Sequence, residues 1–126
     1  MLLRTKLSEA RGLGSAKEGT HHWWVHRVTS VALIPLTLWF AFAVATMAGQ
    51  SYEAVTAWLA APVNAVLMLL FIVATFHHLH LGVQTILEDY VHIEGVKIAA
   101  ILAVKLASGA LGVAAAFAVL KIAFGA

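Results

Sequence analysis

The sequence predicts an all-α integral membrane protein with three transmembrane helices, and three observations carry that reading. Of 126 residues, 62% are hydrophobic and 11% charged, whereas an ordinary soluble domain carries about 25% charged residues. Mean hydropathy is +0.91. Small domains leave much of their surface exposed, so a chain of this length cannot hide its apolar surface in a core of its own, and the bilayer must solvate most of it. The second observation is segmentation. Apolar runs at 28–48, 62–87 and 98–124 are each long enough to cross a hydrocarbon core of about 30 Å at about 1.5 Å per residue. The third is charge placement. Arg4, Lys6, Arg11, Lys17 and Arg27 precede the first run against Glu9 and Glu18, and the first loop holds no Lys or Arg. This predicts a cytoplasmic N-terminus and second loop, with the C-terminus on the opposite side. The basic residues are too sparse for a nucleic-acid surface.

Residues 1–27 are expected to form a cytoplasmic or interfacial arm, punctuated by Gly12, Gly14 and Gly19. Its apolar sequence begins too late and runs too long for a cleaved signal peptide. Within it, Trp23 and Trp24 beside His21, His22, His26 and Arg27 suit the membrane–water boundary, where an indole buries its ring and keeps its N–H wet. The membrane anchor is expected over 28–126. Pro35 falls inside the first span, where it kinks a membrane helix without ending it. Gly49 to Glu53 reads as a short polar turn, with Trp58 and Pro62 marking re-entry, and Glu88 to Lys97 as the second loop. Lys105 lies inside the third span, positioned to snorkel or to face a partner. The absence of cysteine excludes disulfides, thiolate chemistry, Cys-ligated iron–sulfur clusters and covalently attached c-type haem.

Chemistry concentrates in the second span, at Phe76-His77-His78-Leu79-His80-Leu81-Gly82. An ionisable residue inside a membrane span is costly and therefore a functional candidate. At about 100° per residue His78 shares a face with Ala74, Thr75, Gly82, Thr85 and Asp89, while His77, His80, Gln84 and Glu88 form a separate polar stripe. Small side chains around one imidazole are what a flat macrocycle needs, with Gly82 one turn from His78 admitting close approach. Other readings share the pattern. A membrane histidine also serves as an interhelical hydrogen-bonder, small residues serve helix packing, and His77 with His80 gives two of the ligands a zinc or copper site requires. Asp89-Tyr90 reads equally as an interfacial anchor ending the span, and Arg27 as a phospholipid contact.

His78-x-x-x-Gly82 followed by Asp89-Tyr90, closing the second of three spans, resembles the small hydrophobic membrane anchor of succinate dehydrogenase (respiratory complex II). The stretch from Gly19 to Ser30 is similar to the lead-in of its alphaproteobacterial members. The resemblance implies half of a heterodimeric helical bundle in a bacterial inner membrane. It implies His78 as an axial ligand of haem b, the other ligand coming from a second membrane anchor chain. It further implies Arg27 near the haem propionates and quinone pocket, and Tyr90 with Asp89 at the ubiquinone site. The implied partners are that second membrane anchor, the iron–sulfur subunit and the flavoprotein subunit, and succinate oxidation takes place on other subunits. Gly82 lies one turn from His78 and not from His77 or His80, so groove and resemblance select the same histidine. The alternatives are an anchor for quinol:fumarate reductase and a non-haem membrane protein handling metal through His77, His80 and Glu88.

Overall fold

A computed structural model of the chain describes residues 5–12 and 18–125. Its described elements are all helical: α1 (Lys6–Ala10), α2 (Glu18–Met47), α3 (Tyr52–Ala60), α4 (Pro62–Tyr90) and α5 (Glu94–Ala123). Helices α2, α4 and α5 are long and apolar enough to cross a membrane, so the chain is an all-α multi-pass membrane protein. A span needs only about 20 residues, and each of these helices extends past its apolar run.

The extension is largest in α2, which starts at Glu18 rather than near residue 28. Residues 18–27, expected with the N-terminal arm, are therefore helical. Hydropathy locates where a helix enters hydrocarbon, and a helix can continue into the headgroup zone, where its backbone still satisfies its own hydrogen bonds. Pro35 lies inside α2 without ending it. Arg4 and Lys17, which contribute to the charge asymmetry, lie outside the described residues.

Between α2 and α4 the expected polar turn is only part of what is present. Gly49 adopts φ 81°, the left-handed conformation that ends a helix without a Cβ penalty. Ser51 then caps α3, its hydroxyl accepting from the Ala54 N–H at 3.1 Å. The short helix α3 stops at Ala61, and Pro62 occupies the first turn of α4, where its missing N–H costs nothing. Asn64 Nδ2 donates to Trp58 O at 2.9 Å and fixes this corner, while the Trp58 ring stacks on Trp39 of α2 at 5.7 Å.

Helix α4 is the middle element, packing along both α5 and α2, and α3 rests on α4 and α5. The core is thin: Ala65, Ile72 and Val119 form its buried cluster, with Leu69, Phe76 and Ala115 against it. No side chain among the described residues is fully enclosed. Val31, Ile34, Leu38 and Phe42 make an outward stripe along α2, each 64–70% exposed, as befits a helix solvated by lipid or by another subunit.

Candidate functional site

The three histidines of α4 separate onto two sides, as the helical wheel expects. His78 lies against α2. Its Nδ1 is 3.0 Å from Thr29 Oγ1, and its ring stacks on that of His26 at 4.3 Å. The same Thr29 oxygen sits 3.0 Å from both Val25 O and His26 O. A hydroxyl has one proton and two lone pairs. When that proton goes back to the preceding turn, Thr29 Oγ1 is left to accept from His78 Nδ1–H. In that arrangement the Nε2 lone pair is free, the tautomer in which a histidine ligates a metal.

Two grooves lie here, the first lined by the His78 ring itself and the second by the His26 ring stacked on it. One, of about 420 Å³, is formed by Ser30, Leu33, Ile34, Thr37 and Leu38 of α2 together with His78. The other, of about 360 Å³, gathers Trp23, His26 and Arg27 of α2 with Gly82 and Thr85 of α4. A Cβ added at Gly82 would meet nothing within 4 Å, so the space beside it is open. Arg27 reaches this groove while its guanidinium covers the Trp23 ring at 5.6 Å. The structure thus places Gly82 and Arg27 on one groove, joined to His78 through the His26 ring that lines that groove and stacks on His78.

It does not bring Asp89 and Tyr90 to them. Both residues are exposed at the last turn of α4, Tyr90 at 77%, and no hydrogen bond from either side chain is present among the described residues. Twelve helical residues at about 1.5 Å each put Tyr90 about 18 Å along the axis from His78.

His77 and His80 occupy the other side, their rings edge to face at 4.9 Å, with Gln84 Nε2 donating to Glu88 Oε1 at 2.8 Å. Together with His21, His22 and Lys105 they border a cleft of about 420 Å³ between α2, α4 and α5. Among the described residues no group of three or more His, Asp or Glu is arranged to hold a metal ion, which leaves the metal-handling reading without a third ligand. Thr29 and His26 are the residues that sequence reasoning missed. Both fall in the stretch from Gly19 to Ser30, but no spacing within one helix reveals a partner on another.

The residues present suit a haem: one imidazole oriented for ligation, open space one turn away, and a guanidinium beside it. Residues 1–119 match the family described as succinate dehydrogenase/fumarate reductase transmembrane subunit. The chain is 33% identical over 107 residues to a succinate dehydrogenase hydrophobic membrane anchor subunit of Rickettsia bellii, covering 83% of this chain and 84% of that one. It is 38% identical over 86 residues to the protein of the same name from Paracoccus denitrificans, covering 68% and 67%. A succinate dehydrogenase membrane anchor subunit of Reclinomonas americana is 29% identical over 92 residues, covering 71% and 77%. With a match spanning nearly its whole length, this chain belongs to the succinate dehydrogenase/fumarate reductase transmembrane subunit family.

Proposed function

We propose that the chain is the hydrophobic anchor of a succinate:ubiquinone oxidoreductase, contributing one axial ligand to haem b and part of the ubiquinone site. The observation that carries this reading is the Thr29–His78 contact at 3.0 Å. A membrane histidine whose role was interhelical bonding alone would make the same contact; the open space at the grooves and at Gly82 adds the room a flat macrocycle needs. The names of the curated relatives support succinate oxidation as the direction; the family description also includes fumarate reduction.

Haem b, when bound, supplies a one-electron carrier inside the membrane. His78 would hold it through Nε2, with Thr29 setting the ring's tautomer and rotation. Arg27 offers paired N–H donors that match a propionate carboxylate. The exposed α2 stripe, which borders the His78 groove at Ile34 and Leu38, is the surface for the second membrane anchor chain. That chain would provide the second ligand and the missing wall of the groove.

Tyr90 donates its hydroxyl to a quinone oxygen whose negative charge grows on reduction, and Asp89 orients that hydroxyl or relays protons. Their exposure suits a pocket completed by other chains, including the iron–sulfur and flavoprotein subunits on the cytoplasmic side of the inner membrane. Succinate is oxidised on those subunits, since this chain has no cysteine for clusters and no Gly-rich nucleotide-binding motif. The N-terminus and the α4–α5 connection are cytoplasmic, and the C-terminus is periplasmic.

Reduced-minus-oxidised spectra of the purified complex test the reading. A b-type spectrum retained in His78→Ala would overturn the ligand assignment.

A further inference from the structure

The cleft on the far side of α4 is not used by any of the chemistry above. It is lined by His21, His22, His77, His80, Glu88 and Lys105. Lys105 lies eleven residues into α5, about 16 Å from its start at about 1.5 Å per residue, and therefore within the hydrocarbon zone. A cation at that depth needs a counter-charge. Among the described residues Lys105 has no carboxylate partner, the one ion pair being Lys97–Glu94 at 2.9 Å. His22 Nε2 is also buried without a hydrogen-bond partner, an unmet demand that a native structure satisfies with some group.

The polar cleft runs on into a second groove of about 290 Å³, which shares His77, His80 and Lys105 with it. There the walls turn apolar and small: Ile72, Val73, Gly109, Gly112, Val113 and Ala116. A polar chamber opening onto a narrow apolar channel fits an amphiphile with one chain lying between α4 and α5. The charges are ordered as well. Lys105 on α5 and His77 and His80 on α4 lie farther into their spans than Glu88, which is near the end of α4 with Gln84 holding one of its oxygens.

We propose that this cleft binds a phospholipid with a phosphoethanolamine headgroup. Its phosphate oxygens accept hydrogen bonds from Lys105 Nζ and the imidazole N–H groups, and its ammonium donates to the Glu88 carboxylate at the mouth. An acyl chain occupies the apolar groove. Because the surrounding bilayer is as apolar as the groove, the chain positions the lipid while the headgroup contacts select it. A purely anionic headgroup would place its charge against Glu88 without an ammonium to meet it. A choline headgroup has no N–H to donate.

The test measures which phospholipids the purified, delipidated complex retains when titrated with phosphatidylethanolamine, phosphatidylglycerol or phosphatidylcholine, by native mass spectrometry. Phosphatidylethanolamine is expected to bind best. Lys105→Met is expected to weaken its retention about fivefold, as for loss of one lysine–headgroup attraction, and Lys105→Arg to restore it. Glu88→Gln, at the exposed mouth, is expected to keep binding but remove the preference over phosphatidylglycerol. Equal retention by wild type and Lys105→Met, or no headgroup preference in wild type, would overturn the proposal. So would cross-linking from position 109 to another subunit, because protein would then fill the groove. The readout is lipid mass, so a failure here leaves the role of His78 unaffected, and a failed haem assignment leaves the lipid result standing.

Discussion

On the α2-facing side of α4, His78 meets a threonine whose hydroxyl also reaches two carbonyls of the preceding turn, and it lines one open groove while the stacked His26 lines another. On the α5-facing side, His77 and His80 meet each other edge to face, and Nδ1 of His80 approaches the Phe76 carbonyl at only 3.4 Å. The residue type is the same and the depth in the membrane nearly so. The difference is what fixes the second ring nitrogen. A ligand histidine needs one nitrogen held and the other free, and among the described contacts of the three α4 histidines only His78 has its Nδ1 against a side chain of another helix. What sets His78 apart from its neighbours on α4 is thus a residue of α2, Thr29.

The largest effect expected from breaking this contrast is in His78→Ala. The b-type spectrum of the purified complex should vanish, while His77→Ala and His80→Ala keep it. Loss of the spectrum in His80→Ala with retention in His78→Ala would exchange the roles of the two faces. Next in size is Tyr90→Phe, at the end of the same helix. Removing one hydroxyl that donates to a developing quinone oxyanion should slow succinate:quinone turnover roughly 100-fold and leave the haem spectrum unchanged. Normal quinone turnover would remove Tyr90 from the site.

The three spans and the His78 face are legible in the sequence because both depend on periodicities within one segment: a run of apolar residues, and the recurrence of Gly82 one turn after His78. Helix α3 is not legible. Its nine residues, Tyr52–Ala60, are too few to show a hydrophobic period, and the capping role of Ser51 becomes evident only with the helix in place. Hydropathy places the start of α2 too late, because polar residues such as His21 and His26 end an apolar run without ending a helix. Thr29 escapes for a third reason. Its importance lies in a contact with a residue 49 positions away, and such pairing across helices leaves no local pattern. Asp89 and Tyr90 are visible as a pair, yet among the described residues neither side chain makes a hydrogen bond, as the proposed pocket completed by other subunits would require.

A smaller effect is expected at Thr29. Thr29→Val keeps the shape and removes the acceptor for His78 Nδ1–H, so haem should still bind but dissociate more readily. A loss of roughly tenfold in retention is expected, in the range for outer partners of metal-ligating histidines. Thr29→Ser, which keeps the oxygen, should recover most of it. Equal haem retention by the valine variant and wild type would mean that the stacked His26 ring, and not the hydroxyl, holds His78 in place.

The smallest effect separates the two faces by glycine. A Cβ at Gly82 or at Gly109 would meet nothing within 4 Å, so alanine at either position is free of steric conflict within the chain. Each substitution should also favour the helical state by about 1 kcal/mol from propensity. Gly82 borders the groove shared with Arg27 and His26, whereas Gly109 borders the apolar groove between α4 and α5. A macrocycle ligated by His78 would feel the new methyl at 82 and not the one at 109. Gly82→Ala should therefore shift the haem absorption maximum or midpoint potential slightly, with Gly109→Ala indistinguishable from wild type in both. If the two variants had identical haem properties, the ring plane would have to lie along the other groove, between His78 and the Leu33–Leu38 wall of α2.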